Sequence, residues 1–589
     1  MMTGTPSTIH ETRFRIYAAF VLGQALTLLV TLSPLVGLGW WSGFRGYFAN
    51  DQLSYAAVAA NVSAGNFAPV EPFTQTGVSF YPSLWYYVIG TVSRISHIPV
   101  FVVWTLLGVA IVGLAVGVVG WVALRVSGWW FAPALAAFGL FAGTLSMVLY
   151  GNWHAWLNYH AVLWGPFAML FTLNGEVAGI SLGTMAISLL IYSAAMTVPA
   201  RRRLVLVVLS ATVLGLLANV HTYAFFSCTL LAAIWLSLNG LRGRHAGAWA
   251  GCTLALTLAA LAAGPTLAGS FGPLPTYVVV LLAFSPGLAR LALRNPALAA
   301  LAAGGFALAS SPQLVRTVMG LAQGDEFLTY REASTDNLGV PFGPGVGSAA
   351  ILIVVAAACA FALWKRRQFA LTSLIAALAI GGAILATNDR WGFNQEPYRF
   401  WVEFYTLAAL LLPIPASWAL SHAPEAPRIR VIAFRSSIAV AVALAVVGAV
   451  DFAGFWKAAR TYGVVAQDDG RIAAATQLLE GRSDIVMSSK CLDPRILKLR
   501  TKARVAFFNR GMAWPEDMKA FEIFQDPGRR AGEDPVALRA ANVRYVLTDT
   551  SCADDWQFPS GQAVVPLKSL DYELDGQPQK LTLSWVDPA

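Results

Sequence analysis

The chain has 589 residues, of which 57% are hydrophobic and only 12% are charged, and its mean hydropathy is +0.60. Soluble domains carry about 25% charged residues, so this composition excludes an ordinary soluble protein and indicates a polytopic membrane protein. The net charge of +9 belongs to residues 1–456, which hold 22 basic and 13 acidic residues, whereas residues 457–589 hold 18 of each. Because the basic residues cluster in short loops, membrane orientation explains the excess, and no nucleic-acid partner is predicted.

Apolar stretches recur along residues 1–456 at the length that a membrane-spanning helix needs. The first stretch is too long for the apolar region of a cleaved signal peptide, so we expect a retained helix. Thirteen spans are predicted, at residues 16–38, 99–122, 130–147, 179–197, 204–221, 223–240, 246–268, 275–290, 296–319, 346–364, 368–386, 402–420 and 436–456.

Clusters of Lys and Arg predict the orientation of these spans. With a cytoplasmic N-terminus, every basic cluster falls on the cytoplasmic side, as the positive-inside rule requires, and residues 457–589 lie outside. The stretch 155–172 is apolar enough to span, but a span there would put the Arg201–Arg203 cluster outside. We therefore interpret it as re-entrant or interfacial. Three outer segments are then long, at residues 39–98, 320–345 and 387–401, and they carry most of the acidic residues of the membrane part.

Residues 457–589, the C-terminal segment, have the pattern of a small extracytoplasmic α/β domain, separate from a transmembrane domain at 1–456. "RIAAATQLLEG" and "DPVALRAAN" predict helices, and "SDIVMSS", "ARVAFFN" and "VRYVLTD" predict short strands. Cys491 and Cys552 are the only cysteines of this segment. Because the outer compartment is oxidising, we predict a disulfide between them. The other three cysteines lie in apolar spans, where a small hydrophobic residue is expected.

The first long outer segment places a carboxylate among aromatic residues at the membrane edge. "NDQLSYAAVAANVSAGNF", from Asn50 to Phe67, predicts an amphipathic helix at the outer surface, with Asp51 in its first turn. "YPSLWYYVIGTVSRI" follows and predicts a second interfacial helix that begins at Pro82. Asp51 is either a helix-start residue favoured by the helix dipole or a functional group. A carboxylate at a membrane boundary is costly unless it is paired or hydrated, which favours the functional interpretation.

These two segments, in this order after a first span, resemble the first outer loop of the GT-C superfamily of integral membrane glycosyltransferases. "NDQLSYAAVAANVSAGNF" resembles its acidic residue and Tyr-Ala helix, and "YPSLWYYVIGTVSRI" resembles its Pro-Leu-Tyr-Tyr segment. The resemblance implies a polyprenyl-phosphate sugar donor, a glycan or glycolipid acceptor, and an active site on the outer face of a bacterial inner membrane. The superfamily often has two adjacent acids, where this chain has Asn50 and Asp51. Asp51 alone is therefore the candidate base; no cofactor is predicted, and a divalent metal stays an open alternative.

The third long outer segment contains "NDRWGFNQEPYRFWVEFY", residues 388–405, which resembles a Glu-Pro-Tyr-Arg-Phe loop of some superfamily members. Arg399 is the first candidate for binding the donor phosphate, because Arg binds phosphate bidentately, and Arg390 and Arg331 are further candidates. The structural alternative is a belt of interfacial aromatic residues with snorkelling arginines. The remaining candidate substrate-binding residues are Glu396, Asp389, Tyr398, Tyr55, Tyr81 and His154.

An inverting transfer from a sugar phosphate needs one carboxylate as general base and cations that stabilise the leaving phosphate. The sequence has no Walker A loop, no dinucleotide-binding G-x-G-x-x-G unit and no G-x-S-x-G elbow, which favours a lipid-linked donor. Two other classes compete: an O-antigen-type polysaccharide polymerase or ligase and, less favoured, a transporter, which would carry ionisable groups at mid-membrane. The sugar stays open among arabinofuranose, mannose and aminoarabinose.

Overall fold

The computed structural model describes residues 6–36, 44–45, 49–143, 165–243, 246–271, 273–333, 349–386, 397–422, 446–457, 459–460, 464–465, 470–517, 535–558 and 563–587. The chain clusters into two compact units. The helical unit comprises Met1–Trp40, Leu106–Val315 and Glu332–Thr461, and the composite unit comprises Trp41–Thr105, Arg316–Arg331 and Tyr462–Ala589. Residues of the first two long outer segments therefore fold together with the C-terminal segment.

The described part of the helical unit is built from apolar helices. Two long helices, Val100–Ser127 and Pro296–Ala322, have most of their residues in this unit. Short 3₁₀ turns extend three of the helices. The other helices of this unit are Pro6–Leu32, Ala132–Phe138, Pro166–Phe171, Gly175–Ala195, Ala200–Leu216, Thr222–Gly240, Ala246–Phe271, Pro273–Leu282, Ser285–Arg294, Ala350–Lys365, Phe369–Ala386, Pro397–Leu411, Pro413–Ser421 and the segment 446–457.

Eight helices in the described part of the chain are long and apolar enough to cross a membrane, by length and composition. A bent pair, Thr276–Leu282 with Ser285–Arg294, adds a ninth if it counts as one span. The predicted span 436–456 is described only from residue 446, and the stretch 155–172 only from residue 165. Three further predicted spans coincide with shorter apolar helices, at Ala132–Phe141, Leu352–Trp364 and Phe369–Ile384. The multi-pass helical architecture is confirmed, and the number of thirteen stays a prediction.

Five strands of the C-terminal segment form one mixed sheet. The first three strands in spatial order are parallel, and the last two pair antiparallel. That order is Arg504–Val505, Ile485–Met487, Val543–Asp549, Gln577–Val586 and Val564–Leu574. Three helices accompany the sheet: Gly470–Leu479, Pro494–Thr501 and Pro535–Ala540. The predicted α/β pattern is confirmed in these elements. A two-residue strand, Phe44–Arg45, also pairs antiparallel with Val464–Val465.

The strands Val564–Leu574 and Gln577–Val586 form a hairpin that the sequence patterns above do not predict. Most of the first strand is exposed, so it lacks the apolar alternation of a half-buried strand. The turn between the strands is Asp575-Gly576, with φ of 51° and 75°. Asp-Gly favours the two-residue turn that requires positive φ at both positions. This pair was therefore the available signal for the hairpin.

The helix with the candidate base, Ala49–Ala64, is named the acid-bearing helix. The predicted helix is present, but the side chains of residues 52–62 are all buried. It therefore packs inside the composite unit and does not lie on a surface with one face open. A Cβ added at Gly90, in the neighbouring helix Leu84–Ser96, would lie 2.5 Å from the carbonyl oxygen of Ala59. Small residues at this crossing allow the two helix backbones to approach closely.

Leu53 joins the acid-bearing helix to the C-terminal segment. It is fully buried and belongs to one apolar core with residues from the helices Gly470–Leu479 and Pro494–Thr501 and from the sheet. Burial of a leucine side chain contributes roughly 1.5–3 kcal/mol. The first outer segment and the C-terminal segment therefore share a hydrophobic core.

Cys491 and Cys552 form a disulfide, which confirms the predicted pairing. The two cysteines follow the neighbouring parallel strands Ile485–Met487 and Val543–Asp549, so the bond joins the segments at the carboxyl ends of these strands. The sequence separation is 61 residues. A disulfide that closes a loop of this length stabilises the folded state by about 4 kcal/mol, because it lowers the entropy of the unfolded chain.

We expect denatured, unreduced protein to take up three maleimide groups and reduced protein to take up five. The three free thiols belong to Cys228, Cys252 and Cys359. Intact mass spectrometry counts the groups directly. A Cys491→Ser/Cys552→Ser variant is the control and should take up three under both conditions. Uptake of five groups without reductant would show that the disulfide does not form.

Candidate active site

Asp51 is half-buried in the first turn of the acid-bearing helix, where the helix dipole favours a negative charge. Its Oδ1 accepts a hydrogen bond from Nδ2 of Asn509 over 3.0 Å. The same Nδ2 donates to Oγ of Ser54 over 3.2 Å. Asp51 thus occupies a helix-start position and also has a side-chain partner from the C-terminal segment.

Asn509 is a site residue that the sequence patterns do not reveal. It is 458 positions from Asp51 along the chain, and it belongs to no recognisable motif. The predicted strand "ARVAFFN" ends on it, but in the structure the strand stops at Val505 and the chain then turns towards the acid-bearing helix. Only the tertiary fold brings the amide to the carboxylate.

Tyr55 and Tyr81 meet one helical turn beyond Asp51, and both belong to a row of stacked rings. The hydroxyl of Tyr81 donates to the hydroxyl of Tyr55 over 2.9 Å, with ring centroids 5.3 Å apart. Tyr55 also stacks on Tyr86 at 5.0 Å, and Tyr86 stacks on Trp104 at 5.5 Å. Tyr81 is half-buried while the other three rings are buried. Tyr81 is therefore the ring of this row that presents accessible surface.

Glu71 organises the loop that follows the acid-bearing helix. Its buried carboxylate accepts hydrogen bonds from the backbone N–H groups of Phe73 and Thr74 and from the hydroxyl of Thr74. The carbonyl oxygen of Phe73 in turn accepts from the N–H of Val505 over 3.0 Å. This bond connects the loop to the strand that leads to Asn509. The segment that follows Asp51 and the segment that precedes Asn509 therefore belong to one hydrogen-bond network.

Burial also sets the charge states of Glu71 and Lys498. Glu71 is fully buried, and desolvation raises its pKa to about 7, against the effect of its hydrogen bonds and of Lys498. Lys498, on the helix Pro494–Thr501, is fully buried as well, and desolvation lowers its pKa to about 7, with Glu71 acting in the opposite direction. Burial therefore moves the pKa values of both groups towards neutrality.

Arg331 lies at the end of the composite unit's second stretch, on the helix Glu326–Ala333. Its neighbour Tyr330 packs against Trp514, with ring centroids 5.2 Å apart. Trp514 belongs to the same turn as Asn509, because the Trp514 indole N–H donates to the Arg510 carbonyl. The structure therefore brings the helix of Arg331 to the turn that contacts Asp51.

Two other candidates, Tyr398 and Arg399, lie at the start of the helix Pro397–Leu411 in the helical unit. Their side chains are not among the described ones. Four further candidates lie outside the described residues: Asp389, Arg390, Glu396 and His154. The roles of all six stay predictions.

Glu403 is a buried acid of the helical unit that is absent from the predicted site. Its Oε2 accepts a hydrogen bond from Oγ of Ser227 over 2.7 Å, and its Oε1 lies 3.5 Å from Nδ1 of His221. The available signal was the acid itself, because a Glu inside an apolar span is costly unless it has partners. In the described part of the chain, no group of three or more His, Cys, Asp and Glu side chains converges as metal ligands would.

No family model and no curated protein sequence matches the chain, but solved structures do. The archaeal oligosaccharyltransferase AglB from Archaeoglobus fulgidus, in complex with an inhibitory peptide and a dolichol-phosphate, matches with a TM-score of 0.50 and 12% identity, over 91% of this chain and 69% of its own. Its apo form matches with 0.51 and 13% over the same shares. ArnT from Cupriavidus metallidurans, bound to undecaprenyl phosphate, matches with 0.45 and 13%, over 95% and 97%.

The likeness to the oligosaccharyltransferase defines the class of fold. The chain is a multi-pass helical membrane protein whose fold is similar to that of the archaeal oligosaccharyltransferase. At 12–13% identity the likeness is one of fold alone.

Replacement of Lys498 with Met should remove a pH-dependent part of the stability. The pKa of Lys498 is lowered from 10.5 to about 7 in the folded state, so between these values the unfolded state binds more protons. Stability of the wild type therefore rises with pH in this window. From pH 7 to pH 9 the free energy of unfolding of the wild type, relative to that of the variant, should increase by about 1–2 kcal/mol.

Unfolding in detergent, followed at several pH values, measures this difference. Lys568→Met is the matched control, because Lys568 is exposed on the strand Val564–Leu574. A wild-type advantage that does not change between pH 7 and pH 9 would contradict the account.

Proposed function

We propose that the protein is a membrane glycosyltransferase that transfers a sugar from a polyprenyl-phosphate donor to a glycan or glycolipid acceptor. The observation that carries the proposal is the half-buried carboxylate of Asp51, at the start of a buried helix and in contact with Asn509, in a chain of GT-C fold. The oligosaccharyltransferase of similar fold was solved with a dolichol-phosphate, which supports a lipid-phosphate carrier as the donor class.

In the proposed reaction the acceptor hydroxyl attacks the anomeric carbon of the donor. The new glycosidic bond forms as the bond from the anomeric carbon to the phosphate oxygen breaks, and the polyprenyl phosphate leaves with the electron pair. The proton of the hydroxyl passes to the carboxylate of Asp51, which acts as general base. A direct displacement of this kind inverts the configuration at the anomeric carbon. The accessible ring of Tyr81 offers a surface on which a sugar can stack.

The donor phosphate requires positive charge, because the leaving group carries the charge that develops in the transition state. Arg399 is the proposed phosphate ligand, with Arg390 and Arg331 as further candidates. Glu396 and Asp389 would orient the arginines or bind the sugar. Tyr398 and His154 complete the proposed substrate-binding set.

The proposed setting is a bacterial inner membrane. The N-terminus would be cytoplasmic, the thirteen spans would form the transmembrane domain at residues 1–456, and residues 457–589 would form an extracytoplasmic domain. Among membrane lipids, the polyprenyl tail of the donor would lie in a lipid-open groove between spans. The positive charge of the short loops supports this orientation.

Asp51→Asn should abolish transfer and leave donor binding largely intact. The substitution keeps the size of the side chain but removes the proton acceptor, and general base catalysis is worth about 10²–10⁴ in rate. Purified protein would be incubated with a panel of polyprenyl-phosphate sugars, including arabinofuranose, mannose and aminoarabinose donors. Product is then measured by mass spectrometry.

Asp571→Asn, at an exposed position of the C-terminal segment, is the control and should retain turnover. If Asp51→Asn turns over any donor at a near wild-type rate, the assignment of the base fails. If the wild type neither binds nor uses any donor of the panel, the function itself is contradicted.

Arg399→Ala should weaken the binding of undecaprenyl phosphate. Loss of a charge-assisted hydrogen-bonded pair costs about 1.5–3 kcal/mol, or roughly 10–100-fold in affinity. Arg399→Lys should retain part of the affinity, because Lys keeps the charge but not the planar fork. Arg201→Ala, at an exposed position, is the control. If Arg399→Ala binds undecaprenyl phosphate as tightly as the wild type does, Arg399 is not the phosphate ligand and another cation must bind the phosphate.

A further inference from the structure

The amide orientation of Asn509 follows from its surroundings. Its Oδ1 accepts a hydrogen bond from the backbone N–H of Gly511 over 2.9 Å. Because a backbone N–H can only donate, the oxygen of the amide must face Gly511, and the NH₂ group must face the acid-bearing helix. The backbone carbonyl of Asn509 also accepts from the N–H of Met512 over 3.0 Å, which closes the turn.

The NH₂ group of Asn509 contacts two acceptors on one face of the acid-bearing helix. They are Oδ1 of Asp51 at 3.0 Å and Oγ of Ser54 at 3.2 Å, and the two residues are three positions apart. Residues with this spacing are neighbours on a helix surface. Ser54 is fully buried, so this end of the contact is fixed by packing.

The turn that carries Asn509 is also held at its other end. Trp514 packs against Tyr330 at 5.2 Å and against Phe327 at 6.3 Å between ring centroids. A Cβ added at Gly77 would lie 2.4 Å from the carbonyl oxygen of Trp514, so the turn lies directly on the loop of the first outer segment. The position of the Asn509 amide is therefore set by contacts on both sides.

We propose that Asn509 is a positioning residue for the base: its amide holds the carboxylate of Asp51 in one orientation. The inference rests on the proposed function. A base that is held in one geometry transfers a proton more efficiently than one that rotates freely. The C-terminal segment thereby supplies part of the active site and is more than a cover over it.

Asn509→Asp is the sharpest variant. It is isosteric and keeps the acceptor for the N–H of Gly511, but it replaces the donor that faces Asp51 with a second carboxylate. With a donor from the panel, kcat should fall by about 10–100-fold while KM for the donor changes little. The acid limb of the pH–rate profile should move to higher pH by at least about one unit.

A second measurement does not need turnover. A carbodiimide with glycinamide modifies protonated carboxyl groups, and peptide mass spectrometry follows the modification of Asp51 in the full-length protein as the pH is varied. In Asn509→Asp the midpoint should move to higher pH, while the exposed Asp571 provides an internal standard. Asn66→Asp is the matched control, because the Asn66 amide makes hydrogen bonds in the same unit, to Gln75 and from the N–H of Ala68. It should leave the Asp51 midpoint unchanged.

The outcomes separate the inference from the function on which it rests. If Asp51→Asn abolishes turnover while Asn509→Asp matches the wild type in rate, pH profile and modification, the inference is wrong and the function stands. If Asn509→Asp moves the modification midpoint but the wild type uses no donor, the proposed function fails, and the positioning role fails with it. Lower activity with unchanged pH profile and midpoint would show a merely structural role for Asn509.

Discussion

The composite unit depends on one constraint: the acid-bearing helix must be buried on all sides while its first turn keeps a carboxylate within reach of water. Small side chains satisfy the first part, because they allow the helix Leu84–Ser96 to approach as closely as at Gly90. Leu53 also serves the first part, because it anchors the helix in the core of the C-terminal segment. The second part is met by Asp51 itself, which is only half-buried. The carboxylate is therefore carried by a rigid element, which is what a base needs if its geometry is to be maintained.

A single carboxylate is sufficient for the proposed chemistry, because the donor already carries a good leaving group. The site needs only a proton acceptor, a surface for the sugar and positive charge at the phosphate. In the proposed reaction Asp51 and Tyr81 would supply the first two within the composite unit, and Asn509, which donates a hydrogen bond to Asp51, would hold the first in place. In this account the C-terminal segment contributes to the chemistry through its turn at residues 509–514, and its hydrophobic core contributes through the burial of Leu53.

Local patterns in the sequence were enough to predict the multi-pass architecture, the α/β character of the C-terminal segment and the helix of Asp51, because hydropathy, helix-start residues and strand propensity act over short distances. The hairpin around Asp575-Gly576 was missed although its turn signal is local. Asn509 could not have been found, since its role arises only when a turn 458 positions away folds against Asp51. For Glu403 the sequence shows an acid in an apolar span, which is costly without partners. It does not show that Ser227 and His221 are those partners.

The most direct test of the central claim is the structure of the Asp51→Asn variant with a polyprenyl-phosphate sugar bound, determined by electron cryo-microscopy. The account predicts density for the donor with its anomeric carbon within about 6 Å of the residue 51 side chain, which leaves room for one acceptor hydroxyl between them. A donor sugar bound well beyond that distance, with the residue 51 side chain facing only protein, would contradict the assignment of Asp51 as the base.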